Sequence, residues 1–233
     1  MARAAQTGAV RAIRAAVKEA EAVLAPIGRV ARSYTVHCVG HAHIDMNWMW
    51  PWQETVAVVN DTFGTVLKLM DEFPGFRFSQ SQASVYAIVE KHNPDMLARI
   101  ARRVKSGQWE VTASHWVEND KNLSGPESLC RHLLHTRAYM QKLFGLSPED
   151  VPVDWTPDMF GFAATNPTYL VRGGVKYMYL HRPGGEGVKR PPAFWWKGPD
   201  GSRVLVRNDM KQGYNGRVTP GYVLGSLEWF VTE

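Results

Sequence analysis

The chain has 233 residues, of which 45% are hydrophobic and 21% are charged, and this composition is typical of a soluble globular core. No apolar stretch is long enough to cross a bilayer, and Arg11 and Arg14 interrupt what would have to be a signal-peptide core. The formal net charge of +5 comes from scattered basic residues, whereas nucleic-acid binding requires a clustered patch. Two cysteines, Cys38 and Cys130, are expected to be small buried residues in a reducing compartment. We therefore predict a cytoplasmic protein that binds neither nucleic acid nor membrane.

Helices and strands alternate in the predicted secondary structure. Residues 7–24 have the apolar spacing of an amphipathic helix, which Pro26 and Gly28 are expected to end. Residues 1–30 are therefore predicted to form a helical prefix that packs on a main domain over residues 31–233. In that domain the predicted helices are residues 54–73, 83–91, 94–105, 126–144 and 167–172, and the predicted strands are residues 34–40, 76–78, 109–112, 151–155 and 175–180.

This alternation favours a parallel α/β sheet or barrel. Turn residues at 199–201 separate two β-rich segments, residues 194–197 and 203–207, and so predict a hairpin. A loop is expected over residues 184–192, and residues 224–233 look like the start of an amphipathic helix. About five strands cannot close a parallel barrel and would leave an open edge. We therefore expect the natural protein to continue beyond Glu233.

The first chemical motif is the alternating set His41, His43 and Asp45, which follows the first predicted strand. Side chains two residues apart in an extended chain point the same way, and ligands of parallel α/β folds gather at the carboxyl ends of the strands. Imidazole and carboxylate groups are usual zinc ligands, although a mixed set also suits other metals. A chance grouping or a loop cap is the alternative, but the spacing after a buried strand favours a metal site.

An aromatic cluster follows immediately at Trp48, Trp50 and Trp52. The flat face of an indole ring packs well against the apolar face of a sugar ring, but tryptophan is also an effective core residue. Trp48 lies nearest to the candidate ligands and is predicted to bind substrate, whereas Trp50 and Trp52 are predicted to be structural.

A second motif places a carboxylate, Asp158, at the end of a later strand. Pro157 is expected to end that strand, and Gly161 permits a tight turn or a close backbone approach. Asp158 would then share the rim of the sheet with His43 and Asp45, where it could be a metal ligand, a nucleophile or both. A helix-capping role is the simpler alternative for this motif alone.

Together these residues resemble glycoside hydrolase family 38, the zinc-dependent retaining α-mannosidases. The resemblance rests on the segment Gly-His-Ala-His-Ile-Asp-Met-Asn-Trp-Met-Trp at residues 40–50, on Pro-Asp-Met-Phe-Gly at residues 157–161, and on Trp-Val-Glu-Asn-Asp at residues 116–120. It implies a parallel irregular β/α barrel of the seven-stranded type, here incomplete at its carboxyl end, with residues 31–233 as part of a catalytic domain. It also implies an α-mannoside oligosaccharide or glycan as substrate, and it leaves a homo-oligomer open for the full-length enzyme.

The resemblance assigns a role to each candidate site residue. It implies that His43, Asp45 and Asp158 bind Zn²⁺ and that Asp158 is also the catalytic nucleophile. The implied substrate-binding residues are Trp48, Arg182, Glu118 and Asp120. His41 matches a family position that is not a direct ligand, so a packing role behind the ligands is expected for it.

Two features depart from the family pattern. Phe162 stands where the family usually has a histidine, which changes the surroundings of Asp158. The family's fourth zinc ligand and its acid/base aspartate lie far downstream and are expected beyond Glu233, so this chain alone is expected to be inactive.

Two other functions remain as alternatives at this point. A metal-dependent amidohydrolase-type barrel would also use a His-x-His motif, but it has no special use for the tryptophans and expects more histidines at later strand ends. An inactive sugar-binding fragment is the non-enzymatic alternative.

Overall fold

The structure is a computed structural model that describes residues 2–182, 190–209 and 215–232. Part of the loop expected over residues 184–192, namely residues 184–189, lies outside these ranges, as does Glu233 at the end of the expected last helix. The chain divides into two compact units, Met1–His37 and Cys38–Glu233. No helix in the described ranges combines the length and the apolar character that crossing a membrane requires.

The first unit contains one long helix, α1, over Ala2–Ala31. The prediction that Pro26 and Gly28 end this helix is wrong, because both residues lie inside it. Proline removes one backbone hydrogen bond of the preceding turn, and here the helix continues for five residues past it, to Ala31. The boundary between prefix and main domain, placed at residues 30 and 31 from sequence, stays a prediction.

The second unit begins with a parallel three-stranded sheet of order β1-β2-β3. Its strands are β1 (Gly40–His41), β2 (Phe78–Gln80) and β3 (Trp109–Val111). The connecting helices are α2 (Trp52–Glu72), α3 (Ala83–His92) and α4 (Pro94–Lys105). All of these helices and the last two strands had been predicted, with ends that differ by at most two residues.

The strand predicted over residues 34–40 is largely wrong, because in the described part of the chain this segment pairs only at Gly40, and pairing then extends to His41. Pairing starts where Gly40 lies opposite Phe78, the first residue of β2. Among the described residues, no strand pairs with the segment before Gly40, and Val36 and Val39 are exposed. β-branched residues alone therefore did not fix a strand, since a strand also needs a neighbour to accept its hydrogen bonds.

The core under the first sheet is built around the buried indole of Trp109. Its ring centroid lies 5.0 Å from that of Phe63 on α2 and 4.8 Å from that of Phe78 on β2. Its Nε1 donates a 3.0 Å hydrogen bond to the hydroxyl of Tyr86 on α3. The apolar stripe of α2 is thereby fixed against the sheet, which holds the end of β1 in place.

A second sheet has the order β4-β5-β7-β6. Its strands are β4 (Val153–Thr156), β5 (Tyr177–Leu180), β6 (Ala193–Lys197) and β7 (Arg203–Asn208). Strand β5 pairs in parallel with β4 on one side and with β7 on the other. Strands β6 and β7 form the antiparallel hairpin predicted from sequence. Helices α5 (Pro126–Phe144) and α6 (Asn166–Arg172) precede β4 and β5, and α7 (Pro220–Thr232) follows β7.

The α/β class with parallel strands is confirmed, but a seven-stranded barrel is not. The described strands form two small open sheets instead of one closed sheet. The cysteine prediction is also wrong, because the free thiols of Cys38 and Cys130 belong to exposed residues.

Candidate active site

Strand ends place the candidate residues around one cleft of about 810 Å³. His43 and Asp45 follow β1, Asp158 follows β4 and Arg182 follows β5, and all four line the cleft. Between the first two, Ile44 is buried in the core. His41 and Ala42 also line the cleft, so the segment that follows β1 runs along the cleft wall.

Three of these side chains form a group that could hold a metal ion. One ligand atom from each of His43, Asp45 and Asp158 can be chosen so that all lie within 4.8 Å of one another. The His43 Nε2 atom is 3.5 Å from Asp45 Oδ1 and 3.8 Å from Asp158 Oδ2. One imidazole nitrogen and two carboxylates converge, and this donor set fits zinc among other divalent ions.

The charge of the cluster also fits a cation. Three carboxylates, Asp45, Glu118 and Asp158, contact His43, and one guanidinium, Arg182, contacts Asp158. With His43 neutral, these groups leave an excess of two negative charges, which a divalent ion would neutralise. Burial opposes protonation of His43, but hydrogen bonding to Glu118 and the three carboxylate charges outweigh it and raise the His43 pKa.

Glu118 contacts two of the three candidate metal ligands, His43 and Asp158, and is almost fully buried, with 7% of its side chain exposed. Its Oε2 atom is 3.1 Å from His43 Nδ1, and its Oε1 accepts a 2.6 Å hydrogen bond from the backbone N–H of Asp158. Its own N–H donates to Gln82 Oε1 at 3.0 Å. Glu118 does not occur among the described residues that line the cleft, and its predicted contact with sugar hydroxyls stays a prediction.

Arg182 is held between the carboxylate of Asp158 and the ring of Phe160. Its Nε is 2.5 Å from Asp158 Oδ1, and its guanidinium carbon is 5.0 Å from the Phe160 ring centroid. Arg182 thus fixes one Asp158 oxygen, while the other oxygen faces His43. This arrangement orients the carboxylate that the sequence predicts to be the nucleophile.

Trp48 is placed on the rim of the cleft with 65% of its surface exposed. It meets the edge of Trp50 in a T-shaped contact with 5.5 Å between centroids. The Trp50 Nε1 donates to Thr55 Oγ1 at 2.9 Å, which anchors that indole to α2. Trp50 therefore supports Trp48, whose free face can meet a ligand.

Sequence reasoning missed two aromatic residues on the cleft wall. Trp155 on β4 and Tyr179 on β5 are register partners whose rings stack at 4.0 Å and 15°, and both line the cleft. The period-2 alternation of β4, in which Asp154 and Thr156 are buried, was a signal that could have found Trp155. Phe160 and Asn215 also line the cleft; Phe160 lies in the Pro-Asp-Met-Phe-Gly motif but was given no role, and no sequence pattern singled out Asn215.

His41 packs against this wall. Its ring lies 4.6 Å from the Trp155 ring, and its Nδ1 is 3.0 Å from the carbonyl oxygen of Ser79. Burial lowers the His41 pKa to about 3 despite that backbone hydrogen bond. A neutral, packed imidazole agrees with the position expected for His41 behind the ligands.

Asp120 and Phe162 take structural positions. Asp120 Oδ1 accepts hydrogen bonds of 2.8 Å from the N–H groups of Asn122 and Leu123, which closes a turn. The Phe162 ring packs edge-on against Trp196 at 5.8 Å. The predicted contact of Asp120 with substrate stays a prediction.

A second charged cluster, formed by β4 and the segment that follows β3, is buried. Asp154 on β4 accepts a short hydrogen bond from Lys121 Nζ and contacts His115 Nδ1 at 2.9 Å. The hydroxyl of Ser114 also donates to Asp154, at 2.8 Å. Burial lowers the pKa of Lys121 although Asp154 opposes the shift, and burial with the Lys121 charge lowers the pKa of His115 to about 4. The Lys121 and His115 partners hold the Asp154 pKa low against the effect of burial.

Comparison with known proteins adds family information to this geometry. The family model described as "Glycosyl hydrolases family 38 N-terminal domain" matches residues 33–228. Alpha-mannosidase G of Dictyostelium discoideum is 33% identical over 184 residues, which are 78% of this chain and 17% of that protein. Alpha-mannosidase 2C1 of Homo sapiens is 34% identical over 175 residues, which are 74% of this chain and 16% of that protein. The chain therefore spans about one sixth of these relatives.

Solved structures share the fold. A crystal structure of an alpha-mannosidase from Enterococcus faecalis V583 matches with a TM-score of 0.69 and 20% identity, over 83% of this chain and 22% of that chain. A 4-alpha-glucanotransferase from Thermococcus litoralis matches with a TM-score of 0.54 and 16% identity, over 73% of this chain and 26% of that chain. At these identities the matches establish the architecture alone.

Proposed function

This chain belongs to glycosyl hydrolases family 38, and on that premise we propose that the full-length protein hydrolyses terminal α-mannosidic bonds by a zinc-dependent retaining mechanism. The observation that carries the proposal is the convergence of His43, Asp45 and Asp158 on one cleft beside the exposed ring of Trp48. The relatives named alpha-mannosidases support the substrate class.

Asp158 is proposed as the nucleophile. Its carboxylate attacks the anomeric carbon of the mannoside, the leaving group departs with a proton, and water later hydrolyses the covalent glycosyl-enzyme. Arg182 holds one carboxylate oxygen, so the other remains directed toward the side of His43. We assign the general acid/base to none of the described residues.

His43, Asp45 and Asp158 are proposed to hold the zinc ion. When bound there, zinc would supply coordination to sugar hydroxyls and so fix the orientation of the ring. The exposed face of Trp48 would pack against the apolar face of the sugar, and the stacked rings of Trp155 and Tyr179 would form another part of the cleft wall.

The test is an assay of the purified full-length protein on an aryl α-mannoside and on an aryl amide of similar size. We expect mannose release with the α-anomer retained in the first product, loss of activity with a chelator, and recovery on adding zinc. Amide cleavage without mannose release would favour the amidohydrolase alternative and overturn the proposal. Sugar binding without turnover would favour an inactive sugar-binding protein.

A further inference from the structure

A continuous set of hydrogen bonds connects the loops that follow four strands. The side-chain amide of Gln82, after β2, donates to the carbonyl oxygen of Ile44, after β1, at 2.8 Å. Gln82 Oε1 accepts from the N–H of Glu118, after β3, at 3.0 Å. Glu118 then reaches His43 through Oε2 and the N–H of Asp158 through Oε1, at 3.1 Å and 2.6 Å. Two of the proposed zinc ligands are therefore tied to a single carboxylate.

This arrangement is costly for the fold. Gln82 is a buried non-glycine residue with φ of 64° and ψ of 113°, a backbone conformation that L residues rarely adopt. Glu118 places a carboxylate in a site where only 7% of its side chain is exposed, and a buried carboxylate is unfavourable without strong partners. Such a cost is typical of a site held in a fixed geometry for function.

The chemistry of the contact with His43 determines which ring nitrogen faces the cleft. A carboxylate can only accept a hydrogen bond, so Glu118 Oε2 selects the form of His43 that carries a proton on Nδ1. The lone pair of the neutral ring is then on Nε2, the atom that faces Asp45 and Asp158. Carboxylates behind metal-bound histidines are known to fix the ring in this way and to raise its basicity.

We propose that Glu118 is a positioning residue of the zinc site, which sets the tautomer of His43 and holds the backbone of Asp158, and that Gln82 in turn positions Glu118. This inference rests on the proposed function insofar as it assumes a metal ion at His43, Asp45 and Asp158. It gives Glu118 a role behind the ligands, not one in the open part of the cleft.

The substitution Glu118→Gln tests the tautomer directly. Glu118 Oε1 accepts from the Asp158 N–H, and Glu118 Oε2 lies 3.1 Å from His43 Nδ1, but a glutamine has only one oxygen to place against these two groups. If its oxygen faces the Asp158 N–H, its amide donates to His43 Nδ1 and forces the proton onto Nε2, where the metal should bind. If its oxygen faces His43, its amide meets the Asp158 N–H as a second donor. Either orientation damages the ligand set without changing its size.

The experiment measures the zinc affinity of the 233-residue chain by competition with a chelator. Long-range ¹H–¹⁵N NMR of the metal-free protein, at a pH at which the His43 ring is neutral, gives the tautomer of His43. We expect Glu118→Gln to weaken zinc binding about 10- to 100-fold and to shift His43 toward the Nε2-protonated form. The exposed Glu127 on α5 provides the matched control, since Glu127→Gln makes the same chemical change on a side chain that is 76% exposed and contacts Arg131. Circular dichroism checks that each variant folds.

A second variant separates positioning from charge. Gln82→Met removes both Gln82 hydrogen bonds and keeps the Glu118 carboxylate, so we expect a smaller loss of zinc affinity, about tenfold, with the tautomer of His43 retained. Zinc affinity within twofold of the reference in both variants would overturn the proposal. That result would not count against the proposed α-mannosidase activity of the full-length protein. Conversely, the expected loss of zinc affinity, found together with an inactive full-length protein, would reject the proposed activity and keep the role of Glu118.

Discussion

Two clusters of charged side chains are attached to the same strand, β4, and they differ in exposure and in charge balance. The deep cluster joins Asp154 to Lys121 and His115, whose side chains are 0%, 0% and 4% exposed. The cleft cluster follows the end of β4 at Asp158, whose side chain is 24% exposed. The two carboxylates are only four positions apart in sequence.

The deep cluster is balanced, because one lysine ammonium meets one carboxylate and the histidine stays neutral. The cleft cluster has three carboxylates against one guanidinium. A balanced buried pair is the arrangement that a fold tolerates for its own structure, whereas an excess of negative charge beside a cleft suits a bound cation. The deep cluster therefore suits a structural role, whereas the cleft cluster suits the proposed metal site.

The largest expected effect is on turnover at the cleft cluster. We expect Asp158→Ala in the full-length protein to lower kcat by several powers of ten, because loss of a nucleophilic carboxylate removes the covalent step. Asp158→Asn keeps the size of the side chain and should keep the fold while losing activity equally. The assay is mannose release from an aryl α-mannoside.

Asp95→Asn on the exposed first turn of α4 is the control for Asp158 and should retain full turnover. Activity above a few per cent of the reference in both Asp158 variants would reassign Asp158 to structure, and the contrast between the two clusters would be lost.

The next largest effect is on the free energy of unfolding at the deep cluster. Lys121→Met leaves the Asp154 carboxylate buried without its ammonium partner, which should cost about 3–5 kcal/mol. The double variant Lys121→Met with Asp154→Asn removes both charges and should recover most of that loss. Urea denaturation of the chain measures both.

A cost below about 1 kcal/mol for Lys121→Met alone would show that the pair does not behave as a buried charge pair. A double variant as unstable as the single one would show that packing by the lysine chain, not charge, is the main contribution.

A smaller effect is the pH dependence of the deep cluster. The pKa of His115 is lowered from 6.5 to about 4 in the folded chain, so the unfolded chain binds more protons between these values. The contribution of His115 to the free energy of unfolding is fully present above about pH 6.5. It is lost as the pH falls toward 4, and the total loss is about 3 kcal/mol. His115→Gln keeps a donor for Asp154 and should flatten this part of the pH profile of unfolding.

The control is His92→Gln at the exposed end of α3, which should leave the profile of unfolding unchanged. A His115→Gln profile that falls as steeply as the reference between pH 6.5 and 4 would contradict the assigned pKa of His115.

The cleft cluster was largely accessible to sequence reasoning and the deep cluster was not. His43, Asp45 and Asp158 come after strand ends, and strand ends meet at one edge of a parallel sheet, so periodicity and topology together brought them to one place. Lys121 carries no such signal, since a lone lysine in a loop is normally exposed. Its burial depends on a bridge to Phe162 and on Asp154, which are 41 and 33 residues away.

The same contrast explains the fold errors. Helices α2 to α5 were predicted within two residues because each has a local apolar stripe and a proline or glycine near an end. The short β1 and the two open sheets depend on which strands lie beside one another, and no local pattern contains that information. Glu118 was found as a polar candidate, but its connection to Gln82 required the three-dimensional arrangement.

The smallest expected effect concerns the aromatic rim of the cleft. Trp48 and Trp195 are exposed to a similar extent, 65% and 61%, but only the first is a lining residue of the cleft among the described parts of the chain. Trp48→Ala should raise KM for an aryl α-mannoside about tenfold, equivalent to about 1.4 kcal/mol, because a sugar loses one stacking face.

Trp195→Ala is the control and should leave KM unchanged. Neither variant should alter the urea midpoint much, since both side chains are exposed. Trp48→Phe keeps an aromatic face and should recover part of the loss. Equal KM changes in Trp48→Ala and Trp195→Ala would mean that Trp48 does not contact the sugar. Sugar binding would then not account for the exposure of Trp48.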